Sequence, residues 1–328
     1  MLFLYILRRI AWSIPLLFAV SLIAFALITA PPGDYITSFA ATLSESGDIV
    51  DQVRLDAMRE RYGLDQPFLV QYWYWIINAV QGDFGISFEW QQPVSTLIWE
   101  RMSLSVTLAL ATLMFTWAVA LPIGIYSAVR KYSIGDYLVT TIGFLGLATP
   151  NFLFALVLMY IAVVYFGADV SGLFSDEYQD APWSWAKFVD LAKHIWIPVV
   201  ILGTSATASL VRIMRANLLD ELHRPYVTTA RAKGLSEFRL IMKYPVRIAI
   251  NPFVSTIGWA FPQLISGAVI TAVVLSLPTA GPLMLQALLA QDMYLAGAFI
   301  LLLCCLSIIG MLVSDILLAV IDPRIRFR

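Results

Sequence analysis

Residues 248–291, IAINPFVSTIGWAFPQLISGAVITAVVLSLPTAGPLMLQALLAQ, run for 44 positions between Arg247 and Asp292 without a charged side chain. A helix of about 20 apolar residues crosses the ~30 Å hydrocarbon core of a bilayer, so this stretch holds either one spanning helix or two. The choice decides the fold, because it determines whether the two chain ends lie on the same side of the membrane. Other charge-free stretches flank it. Residues 10–29 come after Arg8 and Arg9. At about 1.5 Å per residue they cover the core, and they exceed the roughly 7–15 residues of a signal-peptide apolar region, so a retained first helix is expected there. Arg101 and Arg130 bracket 28 uncharged residues, and Asp136 and Asp169 bracket 32, interrupted by Thr149-Pro150-Asn151. Residues 194–211, opened by Pro198, and residues 293–314 complete the set.

Charge resolves the long stretch. Fifteen of the 21 Lys and Arg residues fall in four segments: Arg8-Arg9, Arg130-Lys131, residues 212–247, and Arg324, Arg326 and Arg328. The positive-inside rule places all four in the cytoplasm, which requires an even number of spans. The 44-residue stretch is then a single helix, about residues 253–276, with an external apolar segment after it. Ser276-Leu277-Pro278-Thr279-Ala280-Gly281-Pro282 supplies the break, since Pro and Gly end helices. The apolar residues beyond this break form a candidate re-entrant segment, tolerated only inside protein or beside a water-filled cavity. The expected fold is an all-α membrane protein with six transmembrane helices and both termini in the cytoplasm. Composition agrees: 60% of residues are hydrophobic and 13% charged, against about half and a quarter in soluble domains, and the mean hydropathy is +0.79. Cys304 and Cys305 are adjacent within an apolar run, which suits two small hydrophobes rather than a structural disulfide.

The remaining basic residues, Arg54, Arg59, Arg61, Arg101, Lys187 and Lys193, lie with most of the acids in two external segments. In the first, about residues 31–100, residues 51–62 read as a short surface helix with Gly63 at its C-terminal left-handed position. Tyr72-Trp73-Tyr74-Trp75 reads as an interfacial anchor, with an aromatic ligand platform as the alternative. The second, about residues 169–193, carries Asp176, Glu177 and Asp180 near Trp183 and Trp185 and reads as a solvated loop with interfacial anchors. The organisation expected is therefore residues 1–30 as N-terminal segment and first helix, 31–100 as an external segment, and 101–328 as a five-helix core with a cytoplasmic loop at 212–247. No internal repeat or low-complexity tract is present.

Several function classes are disfavoured. There is no Gly-x4-Gly-Lys-Ser/Thr phosphate loop, no His-Glu-x-x-His and no Gly-x-Ser-x-Gly. The two histidines, His194 and His223, fall on opposite sides of the membrane. Asp315 is the one acid inside a predicted span, close to the cytoplasmic surface, and suits a cap or an interhelical hydrogen bond. A proton-coupled carrier usually has a relay of such groups, so a stand-alone secondary transporter or channel is the weaker alternative, and no catalytic residues are expected. Asn151, Gln263, Ser266 and Thr271 are polar groups within predicted spans. They suit a water-filled path and, equally, hydrogen bonds between helices.

The loop at 212–247 contains His223-Arg224-Pro225-Tyr226-Val227-Thr228-Thr229-Ala230-Arg231-Ala232-Lys233-Gly234-Leu235-Ser236. Pro225 suits a first helical turn and Gly234 the position past a helix end, which defines about two turns. Ser236 is placed to cap a second helix running until Pro245. A two-turn helix is unstable alone in water and must pack on something. Thr228, Thr229, Ala230 and Ala232 are small enough for a partner backbone to approach, with Arg231 and Lys233 supplying charge. A docking helix is preferred over a basic loop lying on anionic headgroups.

This loop resembles the coupling loop of ABC importer permeases, and residues 229–235, Thr-Ala-Arg-Ala-Lys-Gly-Leu, match the version found in the dipeptide/oligopeptide permease B-subunit family. The resemblance continues along the chain. Arg8-Arg9, Ala30-Pro31-Pro32-Gly33-Asp34, Arg61-Tyr62-Gly63-Leu64-Asp65-Gln66-Pro67, Gln71-Tyr72, Gly82-Asp83-Phe84-Gly85-Ile86-Ser87, Ala148-Thr149-Pro150-Asn151-Phe152 and Asp322-Pro323-Arg324-Ile325-Arg326 are similar to family strings in the same order. Three positions depart from it. Thr228 stands where the broader coupling motif has glutamate, Tyr35 comes after Asp34 where the family usually has proline, and Pro278-Thr279-Ala280-Gly281 stands where many members have Pro-Gly-Leu-Gly.

The resemblance implies a type I ABC importer permease in a bacterial inner membrane, surrounded by lipid. Its partners would be a second permease subunit, two ABC ATPase subunits and a periplasmic solute-binding protein, with no nucleic acid. The chain itself would carry no cofactor, ATP and Mg being held by the ATPase subunits. Tyr226, Thr228, Thr229, Ala230, Arg231, Ala232, Lys233 and Gly234 would form the coupling helix in a cleft of the ATPase. The solute implied is a peptide, with an oligosaccharide or another small solute as the alternative.

Overall fold

The computed structural model describes residues 2–29, 36–37, 40, 55–57, 59–60, 65–167, 171–179, 181–266 and 268–321. The sequence strings at 30–35, 61–64 and 322–328 lie outside them, as do Gly63 and most of the helix expected at 51–62, of which 55–57 and 59–60 are helical. In chain order the helices are α1 (Leu2–Thr29), α2 (Phe68–Val80), α3 (Val94–Val129), α4 (Ile134–Ala148), α5 (Asn151–Phe166), α6 (Trp185–Leu222), α7 (Pro225–Ala232), α8 (Glu237–Lys243), α9 (Pro245–Ala249), α10 (Asn251–Ser266), α11 (Val269–Val274), α12 (Ala280–Leu289) and α13 (Met293–Ile321). The only extended pairing among the described residues is a bridge between Ile86 and Pro93.

Helices α1, α3, α6 and α13 are each long and apolar enough to cross a membrane, and α4 with α5 adds a fifth candidate if that bent pair is one span. The pair bends by 101° at Thr149-Pro150. Thr149 is extended, with φ −91° and ψ 120°, as expected of a residue preceding proline, whose ring bars it from the helical region. The single helix expected at 253–276 is divided. Its first part, α10, has 16 residues and spans only ~24 Å at 1.5 Å per residue; α11 adds six. The break expected at 276–282 is present. Ser276 is left-handed at φ 51°, and α12 starts at Ala280 with Thr279 as its extended N-cap.

Two further expectations are corrected. The segment at 169–193 is not a solvated loop throughout. Residues 176–178 form a 3-10 turn, and α6 has already begun at Trp185, its start capped by Ser184, whose Oγ accepts from Lys187 N at 3.2 Å. The Lys187 ammonium donates to Ala181 O at 2.6 Å and Gln179 O at 3.2 Å, and lies 4.8 Å from the centre of the Phe174 ring. At the other end, residues 212–222 continue α6 rather than opening a loop.

The chain divides into two compact units. One comprises Leu7–Ser105 and Thr279–Leu306. Phe25 lies at its centre, with the Tyr72 and Trp75 rings each 5.6 Å away, centre to centre. Positions three apart share a helix face, so Tyr72 and Trp75 are buried while Trp73 and Tyr74 face outward. Only half of that aromatic string is available as an anchor. The fully buried Asp292 accepts from Ser87 Oγ at 2.6 Å, Phe88 N at 2.8 Å, Glu89 N at 3.3 Å and Leu295 N at 3.1 Å. One carboxylate thereby caps α13 and holds the 87–89 turn. Burial pushes the Asp292 carboxyl above its ordinary pKa against the pull of these donors.

The other unit comprises Met1–Ile6, Val106–Pro278 and Ser307–Arg328. Its helices approach closely through small residues, as membrane helices do. A Cβ at Gly124 would lie 2.6 Å from Met214 Cβ, and one at Gly203 2.7 Å from the Phe115 ring. Much of α4 and α5 is apolar yet exposed, including Leu138, Ile142, Leu145, Leu153, Leu156 and Tyr160. An apolar surface of this extent is one that lipid or another chain covers.

Candidate functional site

Helix α6 leads through His223 and Arg224 into α7, where Pro225 occupies the first turn and needs no N–H partner. Gly234 comes just after α7 at φ +80°, a left-handed position that glycine takes without a Cβ penalty. Val227 is fully buried and Ala230 nearly so, in the apolar cluster that includes Leu218, Leu240, Val246 and Phe253. Thr228, Thr229, Arg231, Ala232, Lys233 and Gly234 face outward. Ala230 therefore anchors α7 to its own chain and is turned away from the exposed face of that helix, because positions 227 and 230 share a helix face.

Side chains hold the segment in place. The Tyr226 hydroxyl donates to Glu221 Oε2 at 2.5 Å, and burial together with that carboxylate pushes the phenol above its ordinary pKa. Arg231 forms a bidentate bridge to Glu237 at the start of α8, which holds the Glu237 carboxyl below its ordinary value. Arg231 is thus a strut between α7 and α8 as well as a surface charge. Ser236 occupies the N-cap position of α8, but its side chain makes no capping bond. Leu240 N donates to Ser236 O at 2.9 Å, and Glu237 puts an acidic residue in the first turn, where negative charge is favoured.

A cavity of about 340 Å³ lies among α3, the α4–α5 break, α6 and α10, a volume within the range of small-molecule sites. Its polar lining is Thr112, Thr116, Asn151, Ser205, Ser209, Thr256 and Gln263, and none of its lining residues is charged. Two of the expected polar residues, Asn151 and Gln263, meet here. Asn151 also joins helices, its Oδ1 accepting from Ser205 Oγ at 3.2 Å, so the two uses open to it, path and helix contact, coexist in one side chain. Thr271 is buried and is not among the residues lining this cavity; the side chain of Ser266 lies outside the described residues. Irregular backbone at membrane depth survives beside such a cavity, which fits the break at Thr149-Pro150.

An ion pair with no local signature in the sequence joins three helices. Arg215 on α6 donates from Nε to Asp136 Oδ1 at 2.9 Å and from Nη2 to Oδ2 at 2.8 Å. Ser127 Oγ on α3 donates to Oδ1, and Tyr132 N to Oδ2 at 2.8 Å. All four acceptor positions of the carboxylate are filled. Ser133 caps α4, its Oγ accepting from Asp136 N at 3.2 Å; the Ser-x-x-Asp spacing is the signal that places Asp136 in a first turn, though it does not identify the partner. His194 lies more than two turns inside α6 and His223 at its C-cap, roughly 43 Å apart at 1.5 Å per residue, each bonded through Nδ1 to a carbonyl four residues earlier.

Comparison with known proteins gives a consistent result over the whole chain. Residues 1–111 match the family described as "Binding-prot-dependent transport system membrane comp, N-term". An oligopeptide transport system permease protein AppB of Bacillus subtilis (strain 168) is 34% identical over 327 residues, covering 98% of this chain and 99% of that one. A dipeptide transport system permease protein DppB of Escherichia coli (strain K12) is 31% identical over 340 residues, and a glutathione transport system permease protein GsiC of the same strain is 31% identical over 324 residues, each covering 99% of both chains. Residues 120–327 match a second family profile, and by that match the chain belongs to the family of binding-protein-dependent transport system inner membrane components.

Proposed function

We propose that this chain is the permease subunit of an ATP-driven ABC importer in a bacterial inner membrane, moving a peptide delivered by a periplasmic solute-binding protein. The observation that carries this is α7, a two-turn helix anchored by Val227 and Ala230 that turns Thr228, Thr229, Ala232 and Lys233 outward. A short helix so firmly seated, with a small-residue face left uncovered, suits insertion into a cleft of an ATPase subunit. The names of the relatives, which specify oligopeptide, dipeptide and glutathione transport, support the peptide assignment.

In this reading the chain crosses the membrane six times, with α10 and α11 together making the fifth crossing and both termini in the cytoplasm. Charge parity supports the count, since α7 must lie on the same side as Arg8 and Arg9. The pathway is shared with a second permease subunit, and the 340 Å³ cavity, with Asn151 and Gln263 on its wall, belongs to it. Two ATPase subunits hold ATP and Mg, and the permease chain has no catalytic residue or cofactor of its own.

Site-directed cross-linking tests the docking surface. With Cys304 and Cys305 replaced by Ala, a cysteine at Thr228 or Thr229 is expected to cross-link to an ATPase subunit in the assembled complex, and one at Val227 is not. Cross-links at Val227 but not at the two threonines would reject α7 as the docking element.

A further inference from the structure

We propose that the Asp136–Arg215 pair is the joint through which displacement of α7 reaches the broken span beside the cavity, which makes these two residues positioning residues for transport. The inference rests on the reading of α7 as the docking helix. The route through the protein is continuous. Tyr226 on α7 is hydrogen-bonded to Glu221 in the last turn of α6. Arg215 lies six residues earlier on the same helix, about 9 Å along it, and grips Asp136 with both arms of its guanidinium. Asp136 is in the first turn of α4, and α4 runs without interruption to Ala148, where the chain bends by 101° into α5. The first residue of α5 is Asn151, on the cavity wall and bonded back to Ser205 of α6. Helix α4 is thus tied to α6 by an ion pair at the α7 end and packs on it through Gly143 and Gly146, while beyond the bend α5 is tied to α6 by one neutral hydrogen bond.

The two ties differ in stiffness. A bidentate guanidinium–carboxylate fork fixes orientation as well as distance, and Ser127 and Tyr132 N immobilise the carboxylate further. Asp136 is 3% exposed at its side chain and Arg215 29%. Apolar replacements of such pairs are often neutral for stability, so stability alone does not call for a charged pair here. What the fork supplies is a fixed geometry between two helices. A shift of the α7 end of α6 then carries α4 with it, and the movement is taken up at the Pro150 bend and the Asn151–Ser205 contact, where the cavity lies.

The test uses the complete complex in proteoliposomes and reads two rates per assembled complex: uptake of radiolabelled trialanine and ATP hydrolysis stimulated by the loaded binding protein. Asp136→Asn and Arg215→Gln are each expected to lower the ratio of uptake to hydrolysis roughly tenfold, within the range of ordinary coupling free energies. Their combination is expected to be no worse than either alone, since both remove the same fork. Arg215→Lys keeps the charge, loses the fork, and is expected to show a smaller fall; it also serves if a neutral variant does not assemble. An unchanged ratio, or hydrolysis and uptake falling in proportion, would overturn the proposal, because a merely structural role moves both rates together. Absence of ATP-dependent trialanine uptake by the wild-type complex is a separate outcome, and would reject the peptide-importer reading and this inference with it.

Discussion

Replacing Gly234 by valine forces a β-branched residue into a left-handed torsion, with its Cβ in open space. Gly234 has φ +80°, and a Cβ built on it meets no atom within 4 Å. The cost is therefore backbone strain rather than a clash. An L-residue in the left-handed region costs roughly 1–2 kcal/mol, with a β-branched side chain at the upper end. A protein with about 5–15 kcal/mol of stability still folds with that loss. The turn itself relaxes in part instead, weakening the bonds from Gly234 N to Arg231 O at 3.0 Å and from Leu235 N to Ala230 O at 3.5 Å. If docking requires the native turn, about 2 kcal/mol converts to an association constant for the ATPase lower by roughly thirtyfold. Asparagine tolerates this region better than other non-glycine residues, so the expected order is Gly, Asn, Ala, Val from strongest to weakest. The assay is recovery of ATPase subunits with the membrane-inserted permease, together with solute-stimulated ATP hydrolysis. Wild-type association and hydrolysis in Gly234→Val would refute the docking account, and loss of membrane insertion would refute the account of strain as local.

Asp292→Ala removes the cap of α13 and leaves the Ser87 hydroxyl and Phe88 N without their acceptor. A lost cap costs about 0.5–2 kcal/mol and a buried unsatisfied donor about 1–3 kcal/mol. A loss near 3 kcal/mol is expected, read as a lowered midpoint in detergent-solubilised thermal unfolding, while a midpoint within a degree of wild type would count against it. The Arg231–Glu237 strut has a defined pH window. The Glu237 carboxyl is held below its ordinary value, so the contribution of the bridge is complete above the free carboxyl's pKa of about 4.3 and is lost as pH falls through the lower folded value. Hydrogen-exchange protection of residues 225–237, corrected for intrinsic rates, should be flat from pH 7 to 5 and fall only under stronger acid; Glu237→Gln should lower it throughout. A decline already complete at pH 6 would contradict this assignment.

What was legible in the sequence is what local rules govern. Pro225 and Gly234 bound α7 because one tolerates a helix start and the other a left-handed turn, and neither depends on distant contacts. The charge-free stretches located α1, α3, α6 and α13 because burial of charge in lipid is costly wherever it occurs. The division of residues 253–276 into α10 and α11 was missed, although Gly267 stands in the sequence between the two helices. A lone glycine is a weak mark in an apolar run, because glycine is also common inside membrane helices. The inward turn of Ala230 was within reach of helical periodicity, since Val227 and Ala230 share a face, but small size alone suggested an outward one. Tyr72 and Trp75 went the same way, core residues hidden in a string whose composition resembles an anchor. The Asp136–Arg215 fork was out of reach because its partners are 79 positions apart, Asp136 reading as the border of a span and Arg215 as one basic residue of the cytoplasmic loop.

Movement of solute by another chain's ATP cycle is the central claim, and uptake of labelled trialanine into proteoliposomes tests it most directly. The complex of this chain with its second permease, ATPase subunits and binding protein is expected to accumulate the tripeptide with ATP and Mg present. It is expected to be silent with a non-hydrolysable ATP analogue or with an imposed proton gradient alone. Accumulation by the permease subunits alone, driven by an ion gradient without ATPase subunits, would contradict the account.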